Sequence, residues 1–154
     1  MRNFTGFTII EILVVVFIFG LIATLSLGPI QSGRMRARDT QRKTDINVIV
    51  QGVDLYIAEK KNLPGVIGNS CNSYTSDQPI QWENFKILIG SYLPESARFP
   101  IDPINKQTYR YSYSCNAAER TFTLRAKLEN PNDLSGVLID PQNVSLGRKY
   151  EITH

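Results

Sequence analysis

A chain of 154 residues with 42% hydrophobic content has room for one domain and a terminal segment, and excludes a second core. Its formal charge of +3 sits almost wholly in Arg34, Arg36, Arg38, Arg42 and Lys43, opposed locally by Asp39, while from Thr44 onward 11 basic residues meet 12 acidic ones; a diffuse nucleic-acid-binding face on the main body is excluded. The single histidine is His154 and no GxSxG, Walker or HExxH pattern occurs, so the expectation is no enzyme, no cofactor and no metal.

From Phe7 to Gly33 the one charged residue is Glu11, and the run from Ile12 to Ile30 is almost wholly apolar. As a helix those 19 residues cover about 28 Å, near the roughly 30 Å of a bilayer core. The spacing therefore predicts a single-pass transmembrane helix over 7–33. The run is longer than the apolar part of a secretory signal and no small-residue cleavage site follows it, so this anchor is expected to stay attached. Thr8 and Glu11 fit the T-x-x-E capping box that starts a helix. Gly28 and Pro29 predict a helix break, either a bend or a local unwinding.

Past the basic cluster, Ile46, Ile49, Val50, Val53 and Ile57 recur at helical spacing, which predicts an amphipathic helix to about residue 61, stopped by Pro64 and Gly65. The cluster over 34–43 reads as a solvated face; a second reading has it meet Asp39, Asp45 or Asp54 on adjacent copies. Residues 69–81 read as loop, and 82–91 as a short helix with Trp82, Phe85 and Ile89 on one side. In "YLPESARFPIDP", 92–103, Asp102-Pro103 is turn chemistry. Tyr109, Tyr111 and Tyr113, then Phe122, Leu124, Ala126 and Leu128, alternate as a hairpin through a turn at 116–119, with 137–139 or 149–152 as a third strand. The expected fold class is α+β: a long N-terminal helix, half transmembrane and half amphipathic, packed on a small antiparallel sheet. Cys71 and Cys115 have no CxxC spacing or histidine neighbour; they form one disulfide, as an exported domain favours, or stand as two buried thiols.

"GFTIIEILVVVFIFGLIA", 6–23, following the basic leader "MRNFTG", resembles the amino terminus of type IV pilins and of the related type II secretion pseudopilins. "YLPESARFPIDPINKQTYRYSY" is similar, more loosely, to the loop-to-strand passage of the pseudopilin-like branch. The resemblance implies a class III leader peptide over 1–6, cut by prepilin peptidase between Gly6 and Phe7, an N-methylated Phe7, and a globular pilin domain over 34–154. It implies a pilus subunit, first an inner-membrane single-pass precursor and then part of an extracellular filament. Its partners would be other copies in a helical homopolymer, an assembly ATPase and a platform protein.

In that setting Glu11 would pair with the Phe7 ammonium of a neighbouring copy and set axial register; on the residues alone it completes a helix cap. The alternative functions are a type II secretion pseudopilin, or a membrane-anchored extracytoplasmic binding module with Trp82, Tyr92 and the tyrosine strand as its ligand face. A third is DNA capture through the basic cluster or Lys106, Arg110 and Arg120. Asn132, Asp133 and Asp140 lie where some major pseudopilins hold calcium, but without EF-hand spacing they read as a surface loop. The count of cations flanking the apolar run favours a cytoplasmic main body; the leader pattern is the more specific signal and overrides it.

Overall fold

The structure, a computed structural model, describes residues 6–94, 98–139 and 147–154, with the side chains of 25–29 excepted. Two compact units divide the chain, Met1–Met35 and Arg36–His154. Helix α1 (Ile9–Lys60) begins in the first. Thr8 starts it: its hydroxyl accepts the Glu11 N–H at 3.4 Å, meeting one of the orphan first-turn amides, and its carbonyl accepts that of Ile12 at 3.3 Å as the first intrahelical bond. Gly28 and Pro29 lie within α1 rather than at an end of it, and their side-chain surroundings fall outside the described residues, as do Met1–Thr5 of the expected leader.

Among the described residues no helix is long and apolar enough to cross a membrane. This corrects the transmembrane half expected over 7–33. α1 carries Glu11 in its first turn and Arg34, Arg36 and Arg38 beyond the run, so its apolar character is confined to part of its length. The location read from that helix, a single-pass inner-membrane precursor later carried into an extracellular filament, loses its basis with it.

In the second unit the stripe on α1 behaves as its spacing requires: Ile46, Ile49, Val50 and Val53 are buried, and Ile57 packs against them. The helix ends where Lys61 turns to φ 56° and its N–H closes on the Ile57 carbonyl at 2.9 Å, ahead of Pro64. β1 (Val66–Ile67) and β2 (Ser70–Cys71) pair as a small separate hairpin, and β3 (Tyr74–Thr75) joins the main sheet. The loop expected over 69–81 therefore holds two strands. Each is two residues long, too short for alternation to register.

Helix α2 (Pro79–Ile89) buries Trp82, Phe85 and Ile89, the three residues its spacing selected, and a 3-10 turn, Gly90–Tyr92, follows. Strands β4 (Tyr111–Asn116), β5 (Thr121–Lys127), β6 (Val137–Leu138) and β7 (Arg148–Thr153) complete an antiparallel sheet in the order β3-β4-β5-β7-β6. Both segments considered for a third strand are used.

One face of this sheet makes the core. Tyr111, Tyr113, Phe122, Leu124 and Ala126 point inward, and the Phe85 ring lies 4.7 Å from Tyr113 and 5.1 Å from Tyr74. Trp82 donates its indole N–H to the Pro100 carbonyl at 2.9 Å, and the Tyr113 hydroxyl donates to that of Pro64 at 3.1 Å. Each buried ring thus keeps its polar tip satisfied. This corrects the ligand-face reading, since Trp82, Tyr111 and Tyr113 are core, while Tyr92 and Tyr109 are half-buried. At Gly52 a Cβ would come within 2.6 Å of Leu93 Cδ2, so the absence of a side chain lets α1 sit close to that leucine.

Candidate assembly segment and the buried charge cluster

Chemistry concentrates in two places, one in each unit. In the first unit, Phe7 is 78% and Ile9 88% exposed, and Leu13, Val16, Phe17 and Phe19 are open to solvent as well. These positions lie on all sides of α1, leaving no polar face to turn outward, and an apolar surface of this extent marks an interaction site. Gly6 and Phe7 precede the helix in irregular backbone and are exposed, an accessible setting for the expected cut. Glu11 stands four positions after Phe7, in the first turn of α1. The structure therefore holds Gly6, Phe7 and Glu11 in one exposed stretch.

In the second unit, Asp39 and Arg42 face inward from α1 one turn apart. Arg42 is fully buried, with Nε and Nη2 forked onto Asp102 at 2.7 and 3.2 Å and Nη1 donating to Asp39 at 2.8 Å and Glu129 at 2.6 Å. Arg38 grips both Glu129 oxygens at 2.7 and 2.5 Å. Asp39 accepts the backbone N–H groups of Glu129 and Asn130 at 2.9 and 2.8 Å, and Asp102 accepts those of Ile104 and Asn105 at 2.8 and 3.1 Å. Burial works against the Arg42 charge, but the hydrogen bonds to Asp102 and Glu129 outweigh it and hold its pKa above the ordinary arginine value. The hydrogen bond from Arg38, more than that from Arg42, holds the Glu129 carboxyl below its usual range although burial opposes it.

The solvated-face reading of 34–43 is thereby corrected for its central members. Arg38 and Arg42 turn to Glu129 and Asp102, and Lys43 bonds to Asp133; Arg34 and Arg36 stay exposed. Asp39 is engaged within its own chain, and Asp45 accepts the Tyr111 hydroxyl at 2.7 Å. Beyond Asp39 one turn away, the partners of Arg42, Asp102 and Glu129, stand 60 and 87 residues from it, which hides them from any local pattern. Two local signals exist: Asp39 and Arg42 continue the buried stripe of Ile46, Ile49 and Val53 at helical spacing, and the acid before proline in "FPIDP" points to a turn.

Cys71 on β2 and Cys115 on β4 form a disulfide, with Cα atoms 5.8 Å apart. Of the residues considered for DNA, Arg110 pairs with Asp77 at 2.7 Å and Arg120 donates to the Lys61 carbonyl at 2.9 Å. Asp140 lies outside the described residues, and among those described no group of acids, histidines and cysteines could hold a metal. The hydrogen bond from Lys43, followed by that from Ser135, lowers the Asp133 carboxyl from 3.8 to about 2. A depressed carboxyl contributes stability above its unfolded pKa and loses it as pH falls through its folded one. Thermal melts should accordingly show stability dropping between about pH 4 and pH 2, with a shallower drop in Lys43→Met.

Residues 1–27 match the family model described as the prokaryotic N-terminal methylation motif, in keeping with the expected methylated terminus. Over 55 residues, 36% of the chain, it is 42% identical to "Type II secretion system core protein G" of Pseudomonas aeruginosa, covering 39% of that protein. Over 78 residues, 51% of the chain, it is 33% identical to "Type IV wide pilus major component PilA4" of Thermus thermophilus, covering 51% of that one. The chain thus spans about half the length, or less, of these curated relatives. No solved structure matches it. The apolar stretch with its single early acid and the motif over its first 27 residues place the match at the level of a family, that of the type IV pilins and type II secretion pseudopilins.

Proposed function

We propose that the chain is a structural subunit of a pseudopilus-type filament, comparable in role to its Pseudomonas relative, and that it carries no catalysis. The observation behind this reading is an exposed helix apolar on every side with one acid in its first turn. Copies packed side by side along this stretch would remove it from water. A carboxylate enclosed in such a bundle needs a cation. Cleavage between Gly6 and Phe7 would supply one, the new ammonium of Phe7 on an adjacent copy, and so set axial register as well as energy. Prepilin peptidase, an assembly ATPase and a platform protein are the partners this family implies.

In Glu11→Val, processing of the leader is expected to proceed while the yield of sheared filaments falls at least about a hundredfold, as for one-sided loss of a buried charge pair; sedimentation and electron microscopy read both. A normal yield would remove the pairing. The Thermus relative favours a surface pilus as the second reading, and a deletion strain separates the two. Lost protein secretion with surface filaments intact supports the pseudopilus, and the converse supports the pilus.

A further inference from the structure

The sheet face opposite the buried row of Phe122, Leu124 and Ala126 carries cations where strand pairing alone disfavours them. Lys127 on β5 stands directly opposite Lys149 on β7, and like charges so placed destabilise a sheet. Arg125, two residues before Lys127 and so on the same face, and Arg110, just ahead of β4, join them around an open hollow of about 380 Å³ that Thr108, Ser112 and Ile139 also line. Two carboxylates answer these four cations. Glu151 takes Arg125 and, at 2.8 Å, Lys149, while Asp77 takes Arg110 at 2.7 Å. Lys127 meets the Thr108 hydroxyl at 3.5 Å and the Tyr109 ring at 5.3 Å, and no carboxylate among the described residues.

The surroundings narrow the occupant. The Tyr109 ring is already covered by the Arg42 guanidinium and the Lys127 amine, so the hollow offers no platform on which a nucleic-acid base could stack. Its edge is aliphatic instead: Val137 is 58% exposed and directly opposite Lys149, with Ile139 two residues on. Guanidinium and ammonium donors beside an aliphatic edge suit carboxylates interspersed with apolar side chains.

We propose that this groove docks an acidic peptide segment of a partner protein, its carboxylates on Lys127, Lys149 and Arg110 and an aliphatic side chain against Val137 and Ile139. The test uses the full chain, dispersed in mild detergent, and the fluorescence anisotropy of a labelled peptide alternating Glu with Leu and Ser. Lys127→Glu should weaken binding about tenfold. Because it converts a like-charge pair into an opposite-charge one, its thermal midpoint should stay level or rise, which separates lost docking from lost fold. Lys61→Glu, outside the groove, should bind as the parent does. Unchanged binding in Lys127→Glu, no binding by the parent, or equal binding of an oligothymidylate of matched charge would each overturn the proposal.

Discussion

Arg42→Met is expected to lower the unfolding free energy of the globular unit by about 3–5 kcal/mol at pH 7, the scale for breaking a buried ion pair from one side. The substitution keeps most of the aliphatic stem and removes a guanidinium that no water reaches. Asp39, Asp102 and Glu129 would then share Arg38 alone, which contacts Glu129 and is itself partly exposed. The pH dependence follows from linkage. Glu129 is held below its ordinary 4.5 in the folded chain, so the parent has its stabilisation in full above about that pH and loses it on acidification. In the variant Glu129 keeps Arg38 but loses the Arg42 hydrogen bond that helps hold it down, so acid costs it less. Urea melts should show the gap between parent and variant widest at pH 7 and narrower near pH 4. Arg42→Lys should fall between, because an ammonium cannot reproduce the fork onto Asp102. A loss below about 1 kcal/mol in Arg42→Met would reduce the cluster to the worth of a surface pair.

Opening the disulfide should have a comparable effect by a different route. Cys71 and Cys115 are 44 residues apart in sequence, and a loop of this length is worth about 3–4 kcal/mol of chain entropy in the unfolded state. Cys71→Ser with Cys115→Ser, or reduction of the parent, should lower the unfolding free energy read from urea melts by that amount. Local loosening should appear first in β1 and β2, a two-stranded hairpin separate from the main sheet, since an isolated hairpin is marginal alone. Faster amide exchange over 66–71 in the reduced protein would register it. Coincident melts of oxidised and reduced chains would show the bond to be dispensable. Among the described residues the Arg42 cluster and the disulfide share no hydrogen-bond partner, so the two losses should add.

What the sequence determined by itself was everything that repeats over a short distance. Ile46, Ile49 and Val53 at helical spacing, Trp82, Phe85 and Ile89 along α2, and Tyr111 and Tyr113 alternating with serines each named their buried face, because periodicity reports burial directly. The helix start at Thr8, whose hydroxyl meets the Glu11 N–H, was equally legible, since a cap is a local pattern. The length of the apolar run misled, because a hydrophobic run does not say which helix contains it, and α1 continues into a charged, amphipathic half. Only the tertiary structure decided the fate of the cations. Helical spacing sets Arg42 on the stripe of Ile46 and Ile49 and Arg36 off it, but nothing in "RMRARDTQRK" names the acids of two distant loops that seal Arg42 in. Nor could the sequence set Lys127 against Lys149, which become neighbours through the register of β5 and β7. A charge is placed by the partner that neutralises it, and that partner can stand anywhere along the chain, whereas an apolar side chain needs only a face.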